Sequence, residues 1–232
     1  MIFENELIAG VLIKRYKRFF IDIKVKNKVI TAHCPNTGSM MGLLKKGNKV
    51  WFTKSNDTKR KLKYTLQIIE VNGNKIGVNT HLTNKIFYEA LLSRKIINLK
   101  KTDILFREKQ FNKNTRFDFF IKQKDKGCFI EVKNVTLSRF KNIAEFPDAV
   151  TERGLKHIRE LMEAKKKGFD VYLAFIIQRE DCKRFKIAED IDLNYKKLLT
   201  VALKNDLKVI CYDCKFLPKG IIINNKINFI ND

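Results

Sequence analysis

With 232 residues, 44% of them hydrophobic and 18 of them Phe, the chain has enough apolar material for one large or two small packed domains, which excludes a disordered polyelectrolyte. Lys and Arg outnumber Asp and Glu by 48 to 25, and the net charge of +23 favours polyanionic partners, nucleic acid first. No apolar run approaches the ~18–20 residues that cross a bilayer, Glu4 and Glu6 stand where a secretory leader would be basic, and five Cys, an odd number, suit reduced thiols, so a cytoplasmic protein with no membrane partner is expected.

Lys, Asn and Ile are all abundant, as AT-rich coding would produce, but the charge is not spread evenly. Residues 1–80 carry 16 Lys and Arg against 5 Asp and Glu, a denser surplus than in the rest of the chain. In this part Leu7 to Ile13, Phe19 to Val25, Val29 to Cys34, Lys49 to Thr53, Tyr64 to Val71 and Lys75 to Val78 read as short strands. Turn signals separate them at Asn27, Gly38, Gly47, Asn56 and Asn72-Gly73-Asn74. With no helical period among them, residues 1–82 are expected to form an OB-like β-barrel, a fold that often binds single strands.

Lys14, Arg15, Lys17 and Arg18 interleave with Tyr16, Phe19 and Phe20. Cations for phosphates and ring faces for bases make a strand-tracking groove, the alternative being a solvated turn with both Phe packed inside. Lys59, Arg60 and Lys61 form a second basic loop. Between the two, His33 to Met40 contains a polar turn whose backbone N–H groups, around Asn36, Thr37 and Ser39, are expected to receive a phosphate oxygen. His33 and Cys34 lack further partners for a metal.

Beyond residue 82 the texture changes. Ile86, Phe87, Ala90, Leu91 and Ile97 recur at helical spacing behind a Thr83-Asn84 cap. Glu89 is a candidate metal ligand from this helix, an exposed helix acid being the alternative. Leu105 to Phe111 reads as a strand, with Glu108 an alternative ligand.

Arg116 to Ile121 and Cys128 to Leu137 are β-branched and aromatic runs joined by the polar turn Lys122 to Gly127, hence an antiparallel hairpin. Alternation puts Glu131 and Lys133 on one face, and Asp118 joins them if the register sets it opposite. Two carboxylates buried together repel and lose hydration unless a cation neutralises them. Oxygen ligands suit Mg²⁺ or Mn²⁺. Asp118, Glu131 and the Val132 carbonyl are therefore expected to hold the ion, and Lys133 to assist an attacking water and offset charge at phosphorus. This Asp…Glu-x-Lys spacing resembles the PD-(D/E)XK nuclease core, the plain alternative being an exposed charge pair on a strand.

Pro147-Asp148 opens a second helix with Asp148 as cap and Val150, Leu155, Ile158 and Met162 toward the core. Arg153 and Lys156 are candidate contacts to a scissile phosphate, ahead of His157 and Arg159, which also lie off that apolar set. Val171 to Gln178 is almost continuously apolar, as in a strand buried on both faces. Gln178 at its end resembles an accessory catalytic position of nucleases. Leu193 to Leu203 reads as a helix, and Leu207 to Tyr212 and Gly220 to Ile223 as strands, so residues 83–232 are expected to form a mixed sheet with helices on its faces. Cys211-x-x-Cys214 lies inside an apolar strand with no second pair, a poor match to structural zinc.

Several of these segments are together similar to the sugar fermentation stimulation protein A family. They are His33 to Met40, Lys59-Arg60-Lys61-Leu62 with Tyr64-Thr65, Gly77-Val78-Asn79-Thr80, Arg116-Phe117-Asp118-Phe119, Glu131 to Thr136, and Phe146 to Gly154, in that order over nearly the whole chain. The resemblance implies an α/β plus all-β protein, an OB-like barrel followed by a restriction-endonuclease-like domain, with sequence-independent DNA binding and a regulatory role in sugar use. Thr58 and Lys63 depart from it, standing where the family's basic loop is expected to carry prolines. Two functions follow. One is a DNA-binding regulator that also carries a divalent-metal phosphodiesterase site; the other is a Mg²⁺- or Mn²⁺-dependent nuclease whose main role is cleavage. RNA or single strands are alternatives to DNA. No P-loop, dinucleotide fingerprint or helix-turn-helix signature supports a small-molecule sensor, and nothing in the sequence sets the oligomeric state.

Overall fold

The computed structural model describes residues 1–97, 103–124 and 126–231. The first six strands are β1 (Ile8–Tyr16), β2 (Phe20–Val25), β3 (Lys28–His33), β4 (Lys49–Lys54), β5 (Tyr64–Val71) and β6 (Asn74–Gly77). They pair in the order β3-β2-β1-β4-β5-β6, and a bridge from His33 of β3 to Thr65 of β5 closes the first five into a barrel. Alternation fills its inside with Leu12, Ile21, Ile23, Ala32, Val50, Phe52, Leu66 and Ile69. The β5–β6 turn is built on Asn72 and Gly73 at φ 50 and 78, the left-handed pair that a two-residue hairpin turn demands.

A 3₁₀ turn (Thr80–Leu82) leads into α1 (Thr83–Leu92), then β7 (Ile104–Asn112), β8 (Thr115–Lys122), β9 (Gly127–Val135), β10 (Leu137–Phe140) and β11 (Ile143–Phe146). The chain continues through α2 (Glu152–Lys166), β12 (Asp170–Ile177), β13 (Arg184–Ile187), α3 (Leu193–Lys204), β14 (Lys208–Leu217), β15 (Gly220–Lys226) and β16 (Asn228–Ile230). The main sheet runs β15-β14-β12-β9-β8-β7, with β12 parallel to β9 and β14 and the other pairs antiparallel. It is the expected mixed sheet. Its central strand β12 is buried from Leu173 to Ile177.

Helices cover both faces. Leu155, Ile158 and Leu161 of α2 and Tyr195 and Leu199 of α3 pack on Phe117, Phe129 and Val135. On the other face Ile86, Phe87, Ala90 and Leu91 of α1 pack on Phe119, Ile130 and Val132. Cys211 and Cys214 fall into these two different cores, because residues three apart on one strand point to opposite faces. None of the described helices is long and apolar enough to cross a bilayer.

Two parts of this domain differ from the expectation. A second sheet, β10-β11-β13-β16, is made of strands of three or four residues carrying Arg139, Arg184, Lys186 and Asn228. Alternation over so few residues leaves no periodic signal. The helix caps also differ. Thr151, not Asp148, caps α2 by accepting from the Gly154 N–H, and the first turn of α1 has no side-chain cap, because Thr83 and Asn84 bond elsewhere.

The barrel is docked to the sheet. The Gly77 N–H donates to the Gln178 carbonyl at 2.9 Å, Ile76 bridges to Arg179, and Trp51 and Ile68 join the α1-side core.

Candidate metal and nucleic-acid site

Strands β8 and β9 stay paired from Lys122↔Gly127 to Phe119↔Ile130 and then part. Carried one step further, that register sets Asp118 opposite Glu131, as expected. At the parting the Val132 N–H donates to Asp118 Oδ2 at 2.8 Å, in place of a ladder bond. The N–H and C=O of one residue leave a strand on the same edge, so the Val132 carbonyl faces the same gap. Asn84, from the first turn of α1, donates its Nδ2–H to Asp118 Oδ1 at 2.7 Å. Burial first, and then the charge of Glu131, push the Asp118 carboxyl up to about 7 against these bonds.

Glu131 is only 3% exposed. Its Oε1 accepts from Lys133 Nζ at 2.7 Å and touches His157 Nδ1, which is itself 2.9 Å from Lys133 Nζ. The imidazole nitrogen thus stands between an ammonium and a carboxylate, and it can accept from one or donate to the other, not both at once. Burial raises Glu131, but the Lys133 charge and the His157 contact outweigh it and hold the carboxylate below its ordinary value. Glu131 Oε2 is buried and has no hydrogen-bond partner among the described residues. The fully buried Tyr195 hydroxyl, also without a partner among the described residues, is pushed well above the usual range by burial and the Glu131 charge.

The acid and lysine residues named from sequence therefore meet, while the accessory assignments change. Glu89 is not at this centre; its carboxylate pairs with the Met1 ammonium at 2.5 Å, and α1 contributes Asn84 instead. Gln178 is fully buried at the domain junction, donating to Thr83 Oγ1 (3.0 Å) and Asn134 Oδ1 (2.6 Å), so it braces the start of α1 and bonds to none of the three site residues. Glu108 is exposed on β7 and is not among the groups that shift Asp118. His157 was to be read off the apolar face, yet it is 8% exposed and in contact with Glu131 and Lys133. Its spacing held the signal: with Gly154, Ile158 and Leu161, all buried, it lies on one helical stripe.

The barrel's basic residues divide in the same way. Arg15 donates to the carbonyls of Arg18, Asn36, Gly38 and Ser39, so its guanidinium holds the 36–39 loop and is not available as a phosphate contact. That loop does receive an anion, but one from the chain itself. The Met40 N–H and the Ser39 hydroxyl donate to Asp148 Oδ2 at 3.3 Å, the Gly38 N–H donates to Asn36 Oδ1 at 2.8 Å, and the Asn36 amide donates to the Val78 carbonyl. Asn36 and Ser39 are corrected accordingly: Asn36 ties the loop to the barrel through Gly38 and Val78, and Ser39 latches it to Asp148 of the second domain. Thr37 remains exposed.

Lys17 and Arg18 form the β1–β2 turn at φ 44 and 63, Lys14 lies over the Tyr16 ring, and Phe19 is 40% exposed, stacked on His33. Lys59 and Lys61 are exposed on the β4–β5 loop, while Arg60 donates to Thr65 Oγ1 at 3.2 Å. On α2, Arg153 is exposed, and Lys156 Nζ donates to the Asn114 carbonyl at 2.7 Å.

The latch yields a stability prediction. A Cβ on Gly38 would lie within 2.8 Å of Asp148 Oδ1 and nearer still to Oδ2. Gly38→Ala should therefore push the Asp148 carboxylate off the Met40 N–H and the Ser39 hydroxyl, at a cost of about 0.5–1.5 kcal/mol, lowering the melting temperature by a few degrees; an unchanged melt would show that this contact does not hold the loop.

Comparison with known proteins agrees with this architecture. Residues 13–78 match the model of the SfsA N-terminal OB domain, and residues 81–220 that of the sugar fermentation stimulation protein RE domain. A sugar fermentation stimulation protein homolog of Pelagibacter ubique is 50% identical over 231 residues, covering 100% of both chains. One from Maricaulis maris is 42% identical over 226 residues, covering 97% of this chain and 96% of its own. Among solved structures, that of Pyrococcus furiosus SfsA in complex with Ca²⁺ superposes with a TM-score of 0.89 over 99% of this chain and 98% of its own, at 23% identity, and so shares the fold.

Proposed function

The chain belongs to the sugar fermentation stimulation protein family, and from that footing we propose that it binds nucleic acid without regard to sequence and carries a divalent-metal phosphodiesterase centre in its second domain. One observation carries the catalytic part: a buried Glu131 with an unpartnered Oε2 beside an Asp118 carboxyl lifted to about 7. Two acids so placed lack a counter-charge on one side. Among the described residues no three His, Cys, Asp or Glu side chains gather around a point. An ion held here would rest on Asp118, Glu131 Oε2 and the Val132 carbonyl, with water or phosphate oxygens completing the set, which is the donor pattern of Mg²⁺ or Mn²⁺. The Pyrococcus furiosus protein was solved in complex with Ca²⁺, another oxygen-seeking cation.

When bound, such an ion supplies positive charge at a phosphoryl oxygen and a more acidic water. The chain's own groups do the rest. Lys133 presents its ammonium where charge develops at phosphorus, and His157 and Glu131 hold that ammonium in place. Asn84 and the Val132 N–H aim the Asp118 carboxylate.

Binding without turnover is the second reading. It is favoured by Glu131 Oε1 being already shared by Lys133 and His157, and it fits a regulatory role of the kind the relatives' name describes. The test is a panel of DNA and RNA, single- and double-stranded, incubated with Mg²⁺, Mn²⁺ or EDTA. Cleavage that requires the ion is expected, together with affinity that falls linearly in log–log salt and little preference among sequences. Binding with no cleavage under any ion would leave the second reading, and a flat salt response would remove both.

A further inference from the structure

We infer that the cleft between the tip of the β7–β8 hairpin and the N-terminal half of α2 is the track along which a single nucleic-acid strand reaches Glu131. This rests on the nucleic-acid reading above. Lys113, Arg116, Arg153 and Lys156 line the cleft, with His157 in its wall. His157 also touches Glu131 and Lys133, so the cleft and the acid centre share a side chain. Lys113, Arg116 and Arg153 are exposed, as expected of cations that contact a phosphate backbone. In the same wall Thr115 is 6% exposed, and its buried hydroxyl has no hydrogen-bond partner among the described residues. A buried hydroxyl without a partner is costly unless a ligand satisfies it.

The size of the cleft selects one strand. Lys156 Nζ donates to the Asn114 carbonyl at 2.7 Å and Asn112 Nδ2 to Glu160 Oε2 at 2.5 Å, pinning the hairpin tip onto α2 and setting the width. The space is about 510 Å³, the scale of a small-molecule pocket, which takes one or two nucleotide units and no duplex. On β7, Phe106 is 37% exposed with Lys109 Nζ 5.2 Å from its ring. Its exposed ring is a surface on which a base can stack. On the barrel side Arg15, Asn36 and Ser39 are already engaged, while Lys17, Arg18, Lys59 and Lys61 are exposed. Glu108 is the one acid among the lining residues, and it opposes phosphate.

That opposition gives the test two signs. Affinity is measured by fluorescence anisotropy in EDTA, so no catalysis is involved, with short labelled single-stranded DNA, the matching RNA, and duplex DNA. Arg116→Ala with Arg153→Ala should weaken single-strand binding about tenfold or more and reduce the log–log salt slope by about 1.4, from two phosphate contacts. Glu108→Gln should tighten it. Duplex binding should change less, and whichever of DNA or RNA loses more is the strand that uses the cleft. Lys113→Glu serves as an independent check, and melting curves confirm that each variant is folded. Parent-like single-strand affinity in the double variant, or equal losses for duplex and single strand, overturns the cleft assignment while leaving the nucleic-acid reading intact. A parent that binds none of the three oligonucleotides overturns both.

Discussion

Lys133→Ala should lower metal-dependent phosphodiester cleavage by about 10²- to 10³-fold or more, with nucleic-acid affinity in EDTA unchanged. The side chain is 12% exposed, and its ammonium is held at two points, 2.7 Å from Glu131 Oε1 and 2.9 Å from His157 Nδ1. An ammonium so fixed acts on charge that appears only as phosphorus is attacked, so its loss falls on kcat and not on ground-state binding. Removing it also leaves Glu131 short of a cation in a buried place, which costs stability as well. Lys133→Met, which keeps the apolar stem, separates the two effects. It should melt nearer to the parent than Lys133→Ala does, yet be as inactive. If parent and Lys133 variants cleave alike, the activity belongs to another site or to a contaminant, and Lys133 has no role in it.

Asp118→Asn should change the pH dependence of stability in a direction set by the raised carboxyl. Asp118 moves from an ordinary 3.8 to about 7 in the folded chain, burial being the largest cause and the Glu131 charge the next. A folded-state value above the unfolded one means that the native protein binds the extra proton. The associated stability is complete below about pH 4 and is lost as pH rises through about 7. Between those limits the shift amounts to on the order of 4 kcal/mol, so above pH 7 the ionised Asp118 burdens the fold. In EDTA the melting temperature of Asp118→Asn minus that of the parent should become more positive from pH 5 to pH 8.5, by several degrees or more.

Asn has one acceptor oxygen against two for a carboxylate, so either the Val132 N–H or the Asn84 amide loses a partner. That cost is the same at both pH values and cancels in the comparison. Mg²⁺ or Mn²⁺ at pH 8.5 should raise the melting temperature of the parent, because an ion that binds only the folded chain stabilises it, and should do little for Asp118→Asn. A difference between variant and parent that does not vary with pH would show that Asp118 is not held in a protonation-sensitive place.

Much of the fold was legible because its signals are local. The six strands of the first domain, the β8–β9 hairpin, the three helices and β12 all lie within a few residues of where alternation, helical spacing and turn chemistry place them. The second sheet escaped because strands of three or four charged-flanked residues carry too little pattern. Asn84 was read as part of a cap because a polar residue at a helix start is ordinary; nothing local to it points to Asp118.

By itself the sequence determined that Asp118, Glu131 and Lys133 would share one hairpin, since strand periodicity and a short turn place them within twenty residues of chain; the register that brings Asp118 opposite Glu131 came from the strand pairing. What completes or discards each group was decided only by tertiary packing. His157 reaches Glu131 across 26 residues, Asn84 reaches Asp118 across 34, and Asp148 takes the Met40 N–H across 108. In the same way the Met1 ammonium withdraws Glu89, and the loop carbonyls withdraw Arg15. Hydrophobic periodicity states which face of an element is buried, but not which polar group from a distant segment will arrive there, and buried hydrogen bonds and charges depend on that second fact.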